Sequence, residues 1–314
     1  MGRRAAFRFT ISTDMNLTQF HGTGVALVTP MHPDGSLDFA GLERLLQHVT
    51  EGGVNYLVVQ GTTGESATTT KAEKKQLLDF VKTHNPAGLP VVYGIGGNNT
   101  PEVLQYIEET DFDGVSAVLS VCPYYNKPGK RGVIAHYAAL ADACPVPVIM
   151  YNIPGRTGIN MTSETTVELA QHPNIIGIKE ASCIIEQCME IYRDKPEEFL
   201  LISGDDVQAV PIIAIGGVGV MSVIANAVPG RFSRMIGAAL NGDYATARRE
   251  LGHFLAIDPH LYEEGNPVGI KKILELGGVC NADVRMPLMK ASDELGAKIQ
   301  RVLEKDELLI PVAA

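Results

Sequence analysis

The sequence lacks the features that mark membrane-spanning, nucleic-acid-binding and disulfide-stabilised proteins. Its longest apolar runs extend for about five to eight residues, whereas a helix that crosses a bilayer needs roughly 20. Acidic residues (36) outnumber Lys and Arg (26), and the net charge of −10 disfavours binding to nucleic acid or to an anionic membrane. The 5 cysteines form no Cys-x-x-Cys pair, so neither a disulfide framework nor a zinc cluster is indicated. These absences favour a reduced, cytoplasmic protein.

The motifs of common cofactors and catalytic metals are also missing. No Gly-x-Gly-x-x-Gly opens a helix, no Gly-Lys-Ser/Thr phosphate loop occurs, and the histidines never form His-Glu-x-x-His. Asp205-Asp206 has the chemistry of a metal ligand pair, but no companion His or Glu lies close by in the sequence. We therefore expect neither a cofactor nor a metal, and carbonyl chemistry without a cofactor fits best.

A repeating pattern of short apolar runs and helical stretches begins near residue 22. The chain of 314 residues is long enough for one large α/β barrel or for two mid-sized domains. The runs, rich in Val, Ile and Leu as parallel strands are, are Gly22–Pro30, Asn55–Gln60, Pro90–Gly96, Gly114–Val121, Val146–Tyr151, Asn174–Lys179, Phe199–Ser203 and Gly217–Val223. Thr70-x-x-Glu73 predicts a capping box at the start of one helix, and Asn99 before Pro101 predicts the cap of another.

Eight strands, each followed by a helix, predict a (β/α)8 barrel over residues 15–242. A doubly wound open sheet is the alternative that this pattern leaves open. From residue 243 to 314 no strand is predicted, and we expect a helical region packed outside the barrel. Its predicted helices are Asp243–Phe254, Pro267–Leu276 and Leu288–Glu304.

Residues 1–14 differ in composition from the rest of the chain. Arg3, Arg4 and Arg8 precede Met15, and no acidic residue occurs before Asp14. A short Arg-rich, acid-poor start is compatible with a transit peptide. Because it is brief and a second Met follows, we expect an upstream extension rather than a targeting sequence.

Two strand ends carry the residue types needed for imine chemistry. Lys179 follows the apolar run Ile175–Ile178, so burial disfavours its ammonium form and makes a nucleophilic amine accessible. Tyr151 ends the preceding strand, and a phenol held beside such an amine can move the protons that imine formation requires. The alternatives are a strand-end lysine with its head in solvent and a tyrosine of the core.

The turn after the second strand and the loop after the fifth supply polar groups at the same end of the barrel. Thr62 can hydrogen-bond the phenol of Tyr151, and the backbone N–H groups of Gly61–Gly64 suit a carboxylate. Arg156 suits bidentate binding of a second carboxylate. A tight turn and a structural arginine are the alternatives.

Five segments together resemble the dihydrodipicolinate synthase family. They occur in the family's order and are Gly61–Ala67, Tyr124–Asn126, Tyr151–Gly158, Gly177–Ala181 and Ser203–Asp206. The resemblance implies a lyase of the class I aldolase type that condenses pyruvate with L-aspartate 4-semialdehyde through a lysine Schiff base. The product, 4-hydroxy-tetrahydrodipicolinate, belongs to diaminopimelate and lysine biosynthesis. A homotetramer built from two tight dimers is also implied.

The resemblance assigns catalytic roles to four residues. Lys179 is the Schiff-base lysine, and Tyr151 is the proton donor and acceptor. Thr62 is the relay threonine. Tyr125 is the relay tyrosine, which family members take from a neighbouring subunit.

Substrate contacts are implied for four further residues. Thr63 contacts the pyruvate carboxylate, Arg156 receives the carboxylate of the semialdehyde, and Gly204 and Met221 line the pyruvate site. The family more often has isoleucine at the position of Met221, a change that a backbone contact tolerates.

Two other kinds of protein remain as alternatives. Pyruvate-dependent aldolases such as N-acetylneuraminate lyase or a keto-deoxy sugar-acid aldolase share the lysine and the tyrosine, whereas Arg156 and the pair Thr62-Thr63 favour the lysine-pathway enzyme. A barrel without catalytic activity that senses a ligand is a second alternative. It is disfavoured by the joint presence of Lys179, Tyr151, Thr62 and Tyr125.

The family's allosteric lysine pocket is matched only in part. Ser66, Ala67, Asn98, Glu102 and Tyr124 match that pocket. Lys71 and Lys74 stand where lysine-sensitive enzymes of enteric bacteria carry histidine. Because the pocket must accept a cationic ligand, two added ammonium groups repel it. We therefore expect lysine to inhibit this protein weakly or not at all.

Overall fold

Eight parallel strands close into a barrel. The structure, a computed structural model, describes residues 16–306 and 308. The strands follow one another around the barrel in chain order, and the first pairs with the last. They are β1 (Gly22–Ala26), β2 (Tyr56–Val59), β3 (Val91–Gly94), β4 (Ala117–Val121), β5 (Val148–Asn152), β6 (Ile175–Glu180), β7 (Leu200–Ser203) and β8 (Gly219–Ser222). The predicted (β/α)8 barrel is confirmed, and the open sheet is excluded.

Apolar side chains fill the barrel interior, and a short 3-10 helix packs at its amino end. The strands are buried on both faces, as their runs of Val, Ile and Leu predict. Leu17–Phe20 forms the 3-10 helix just before β1. Phe20 is fully buried and packs edge to face on Tyr56, with the ring centroids 5.8 Å apart. The candidate active site therefore lies at the carboxyl ends of the strands, away from this 3-10 helix.

Nine helices accompany the strands in the described residues. They are α1 (Phe39–Glu51), α2 (Lys71–His84), α3 (Thr100–Glu109), α4 (Lys130–Ala143), α5 (Pro154–Thr157), α6 (Ser163–Leu169), α7 (Ile185–Asp194), α8 (Ala209–Ala214) and α9 (Pro229–Leu240). The capping box is confirmed, since the side chains of Thr70 and Glu73 each accept a hydrogen bond from the other residue's backbone N–H. Asn99 occupies the predicted cap of α3, but its side chain makes no capping hydrogen bond.

Four further helices follow the barrel. They are α10 (Tyr244–Phe254), α11 (Asp258–Tyr262), α12 (Val268–Leu276) and α13 (Asp293–Lys305). The sequence did not predict α11. The last helix starts later than predicted because Ser292 caps it, accepting a hydrogen bond from the backbone N–H of Leu295 at 3.1 Å.

Two predictions about the organisation of the chain stay predictions. The division of the chain at residues 242 and 243 stays a prediction. Residues 1–14, the expected upstream extension, lie outside the described residues. No helix of the described part is long and apolar enough to cross a membrane.

Candidate active site

Lys179 and Tyr151 face each other at the carboxyl ends of two neighbouring strands. They are register partners between β6 and β5, and both side chains are buried. The ammonium nitrogen of Lys179 lies 4.5 Å from the centroid of the Tyr151 ring. The adjacent strand ends bring the predicted nucleophile and the predicted acid–base group into contact range.

The environment of Lys179 favours its neutral form. Burial lowers the pKa of its amine to about 8, the charge of Asp206 opposes that shift, and the charge of Arg156 adds to it. At neutral pH roughly a tenth of the amines are then unprotonated, far more than for a lysine with its ordinary pKa. A buried amine in that state can attack a ketone carbonyl.

Tyr151 keeps its proton at neutral pH. Burial raises the pKa of its phenol to about 12, while the charge of Arg156 and a hydrogen bond with Thr62 lower it in part. Thr62 and Tyr151 line the same cavity, and a proton relay between them stays a prediction. A protonated phenol beside the amine can donate a proton to the oxygen that leaves during imine formation.

The turn after β2 holds Thr62 and Thr63 in two overlapping hydrogen-bonded turns. The N–H of Gly64 donates to Gly61 O at 3.1 Å, and the N–H of Glu65 donates to Thr62 O at 3.0 Å. Thr63 is buried, with 3% of its surface exposed. Its Oγ1 accepts a hydrogen bond from Asn266 Nδ2 at 2.9 Å.

Arg156 stands in the short helix α5, directly after β5. It lines a cavity of about 550 Å³ together with Thr62 and Tyr151. The side chain is exposed, and among residues 16–306 and 308 no carboxylate pairs with it. An unpaired guanidinium at the mouth of a cavity suits a carboxylate ligand.

Gly204 packs against Lys179, and Met221 belongs to the buried cluster that contains Tyr151. A Cβ atom at Gly204 would lie 2.8 Å from Cβ of Ala181 and 3.0 Å from Cγ and Cε of Lys179, so a larger residue would force these side chains to shift. Met221 is fully buried in β8, opposite Gly24 of β1.

Asp206 lies near Lys179, and its carboxylate binds backbone groups. Its Oδ2 accepts hydrogen bonds from the N–H groups of Val223 and Ile224 at 3.0 and 2.9 Å. Burial raises the pKa of this carboxyl to about 6. Within the described residues no group of three His, Cys, Asp or Glu side chains could hold a metal ion, and the cysteines are free thiols.

Tyr125 is not part of the cavity in the single chain. Its side chain is 88% exposed, and its φ of 73° is a left-handed conformation. The N–H of Tyr125 donates to Thr157 O at 3.4 Å, which ties this loop to α5.

Part of the candidate lysine pocket lies beside Tyr106 and the cavity. Ser66, Ala67, Lys74 and Tyr124 line the same cavity as the site. The ammonium groups of Lys71 and Lys74 lie 5.7 and 5.9 Å from the centroid of the Tyr106 ring. Asn98 donates to Tyr124 O at 3.2 Å, and Glu102 is exposed in the first turn of α3.

Sequence reasoning missed the residues that reach the site from the C-terminal helices. Asn266 contacts Thr63, and Lys271 of α12 forms a buried ion pair with Glu65 at 2.5 Å. Both contacts join positions more than 200 residues apart. The one signal in the sequence is that Lys271 lies on the apolar face of the predicted helix Pro267–Leu276. Helical periodicity alone does not identify the partner of this lysine.

Comparisons with known proteins agree with this geometry. The model of the dihydrodipicolinate synthetase family matches residues 19–306. A 4-hydroxy-tetrahydrodipicolinate synthase of Cytophaga hutchinsonii is 52% identical over 282 residues, which cover 90% of this chain and 95% of the relative.

Two solved structures are also similar. The dihydrodipicolinate synthase of Cyanidioschyzon merolae, solved with lysine bound, has a TM-score of 0.88 at 37% identity, covering 93% of this chain and 99% of that one. A monomeric dihydrodipicolinate synthase variant has a TM-score of 0.89 at 33% identity, covering 93% and 98%. From the match over nearly its whole length, this chain belongs to the dihydrodipicolinate synthetase family.

Proposed function

We propose that this protein is a 4-hydroxy-tetrahydrodipicolinate synthase that condenses pyruvate with L-aspartate 4-semialdehyde. The observation that carries the proposal is the buried amine of Lys179, with its pKa lowered to about 8, 4.5 Å from the ring centroid of Tyr151. The curated relative from Cytophaga hutchinsonii carries that enzyme name. The enzyme is a lyase of the diaminopimelate and lysine pathway.

The chemistry begins with attack of the neutral Lys179 amine on the ketone carbon of pyruvate. The carbinolamine oxygen takes a proton from the Tyr151 phenol and leaves as water, so a C=N bond replaces the C=O bond. Thr62, which lines the cavity together with Tyr151, relays the proton of the phenol. The iminium withdraws electrons from the adjacent methyl group, which loses a proton to the Tyr151 phenolate to give an enamine. The enamine carbon then attacks the aldehyde carbon of the second substrate, whose oxygen takes that proton. The amino group of the semialdehyde next attacks the imine carbon, and the Lys179 amine leaves as the ring closes.

The two substrate carboxylates have separate partners in this proposal. The turn that carries Thr63 receives the carboxylate of pyruvate, because its hydroxyl and free N–H groups are donors. Arg156, at the exposed side of the cavity, receives the carboxylate of the semialdehyde. Gly204 and Met221 complete the wall beside the imine. This division separates the ketone substrate, deep in the barrel, from the aldehyde at its mouth.

The site is completed by a second subunit in a homotetramer built from two tight dimers. Tyr125 supports this part of the proposal, because its exposed side chain projects from a loop tied to α5, close to Arg156. A large aromatic side chain that is 88% exposed suits burial between protein chains.

A comparison of aldehyde substrates tests the function. Purified protein is incubated with pyruvate and either L-aspartate 4-semialdehyde or sugar aldehydes, and product formation is followed. We expect turnover with the semialdehyde alone. Comparable rates with a sugar aldehyde would favour the keto-deoxy sugar-acid aldolases, and pyruvate binding without any turnover would favour a sensor.

A further inference from the structure

Asn266 connects the C-terminal helices to the turn that carries Thr63. It precedes α12, is 8% exposed and lines the same cavity as Thr62, Tyr151 and Arg156. Its Nδ2 donates a hydrogen bond to Thr63 Oγ1 at 2.9 Å, across 203 positions of sequence. The contact therefore depends entirely on the fold.

The direction of this hydrogen bond determines what Thr63 can offer a ligand. A hydroxyl has one hydrogen to donate and two lone pairs to accept. Because the amide of Asn266 donates, the hydroxyl hydrogen of Thr63 is left unused, and it has no acceptor in the described residues. An ionised carboxylate is an acceptor only. The amide thus leaves Thr63 as a donor toward a carboxylate in the cavity.

A second feature of Asn266 indicates that it is more than a packing residue. Its Oδ1 is buried and has no hydrogen-bond partner among residues 16–306 and 308. Buried polar atoms without partners cost free energy and are uncommon, so each needs an explanation. An apolar side chain of similar size would avoid that cost but could not donate to Thr63.

The surrounding structure fixes the amide relative to the turn. Lys271 N donates to Pro267 O at 3.0 Å, which anchors the first turn of α12 directly after Asn266. The ammonium of Lys271 then binds Glu65, two residues beyond Thr63. The C-terminal helices and the turn are therefore joined at two adjacent points.

We propose that Asn266 is a positioning residue that orients the Thr63 hydroxyl to donate to the carboxylate of pyruvate. The inference rests on the proposed function, since it concerns the first substrate of that reaction. It makes the helices after the barrel part of the pyruvate site.

Two substitutions separate positioning from packing. Asn266→Ala removes the donor, and we expect the KM for pyruvate to rise about tenfold, with kcat at saturating pyruvate changed less than about threefold. Asn266→Asp has nearly the same size, but it accepts the Thr63 hydrogen and adds a negative charge. The pyruvate KM of Asn266→Asp should exceed that of Asn266→Ala, whereas a packing role gives the opposite order.

A double-mutant cycle tests the path through Thr63. In a Thr63→Val background, Asn266→Ala should change the pyruvate KM less than about twofold. Asn85→Ala is the matched control, because the side-chain amide of Asn85 is also hydrogen-bonded, to the backbone of Leu89, but before β3 at the other end of the barrel. It should leave the pyruvate KM unchanged.

The outcomes distinguish this inference from the proposed function. If the wild-type protein makes product and both Asn266 variants keep the wild-type KM for pyruvate, the inference fails and the function stands. Equal losses in kcat and kcat/KM, or an undiminished effect in the Thr63→Val background, also overturn it. If the wild-type protein makes no product from pyruvate and the semialdehyde, the proposed function itself fails. Should Asn266→Ala not fold, the isosteric Asn266→Asp and its comparison with Thr63→Val decide the matter.

Discussion

At the scale of single residues, two opposite charges adjust one buried amine. Arg156 lowers the pKa of Lys179 and Asp206 raises it, while burial supplies the largest shift. The same guanidinium lowers the pKa of Tyr151. In the proposed mechanism Arg156 binds the aldehyde substrate, and its charge also lowers the pKa of the amine.

Arg156→Ala should impair the use of the semialdehyde far more than the binding of pyruvate. Loss of a charge-assisted contact costs about 1.5–3 kcal/mol, or roughly a ten- to a hundredfold drop in kcat/KM for the aldehyde. Steady-state kinetics with each substrate varied in turn measures this. Arg193→Ala, which removes an exposed arginine paired with its neighbour Asp194, is the control. An equal loss in the rate at which borohydride traps pyruvate on the protein at pH 9 would indicate that Arg156 has a structural role.

The sequence was informative about residues at strand ends and silent about partners from distant segments. Lys179 and Tyr151 could be predicted because an apolar strand that stops at an ionisable residue indicates the active-site end of a barrel. Asn266 could not be predicted, because nothing local marks an asparagine as the partner of Thr63. Asp206 was considered as a metal ligand, and only the fold reveals that it binds the backbone after β8.

At the scale of elements, a buried ion pair joins α12 to the turn after β2. Lys271 and Glu65 are almost entirely inaccessible to solvent, and Glu65 Oε2 also accepts the N–H of Arg285 at 3.0 Å. The α-helix and the turn come from opposite halves of the chain. Removing either partner leaves the other charge buried without its counterpart.

Lys271→Met should destabilise the protein by about 3–5 kcal/mol, because the carboxylate of Glu65 stays buried without its partner. Urea unfolding measures the loss. Lys272→Ala removes the next residue, which pairs with Glu275 near the surface, and should cost less than about 1 kcal/mol. The double substitution Glu65→Gln, Lys271→Met should cost less than the sum of its parts. Similar small losses for Lys271→Met and Lys272→Ala would contradict a structural role for the pair.

Helix α2, which follows the turn after β2, carries the two lysines on which the predicted response to free lysine depends. Lys74 of α2 is half-buried at the cavity, and burial, then the charge of Lys71, lowers its pKa. A cationic ligand about 6 Å from one such ammonium is repelled by roughly 3 kcal/mol at an effective dielectric near 20, less with solvent screening. Lysine at millimolar concentration should therefore inhibit weakly or not at all.

An inhibition curve at saturating pyruvate measures this response. The substitution Lys74→Ala, which removes the ammonium that lines the cavity, should strengthen inhibition. Lys75→Ala, on the exposed face of the same helix, should leave the curve unchanged. Strong inhibition of the wild-type protein at sub-millimolar lysine would mean that Lys71 and Lys74 point away from the ligand.

Element positions were predicted more closely than element ends. The eight strands follow from their apolar runs, and α2 begins where its capping box indicates. The predicted start of α13 at Leu288 is too early. The apolar residues near Leu288 lie in a segment that is not helical, and Ser292 caps the helix instead. The five-residue α11 is too short for a periodic pattern to reveal it.

At the scale of the whole molecule, the proposed site spans two chains. Mixing Tyr125→Phe chains with Tyr151→Phe chains should restore part of the activity, since one of the two sites in a hybrid dimer then has both tyrosines. Light scattering, which should give the mass of a tetramer, confirms that the chains have assembled. A mixture that forms hybrids but regains no activity would contradict a shared site.

The pH dependence of pyruvate trapping should follow Lys179. Its pKa is lowered to about 8, so the reactive neutral form increases as pH rises through that value. The rate of borohydride trapping at low pyruvate should therefore climb between about pH 7 and 9 and then level off. Asp206→Asn removes the charge that raises this pKa, and it should move the rise to lower pH. A rise centred near the ordinary lysine pKa would mean that the amine is solvated.

The most direct test of the central claim is to locate the pyruvate adduct. The protein is incubated with pyruvate, reduced with borohydride and digested, and the peptides are mapped by mass spectrometry. We expect a reduced adduct on the peptide that contains Lys179, and none in Lys179→Ala. An adduct on another lysine, or labelling that persists in Lys179→Ala, would contradict it.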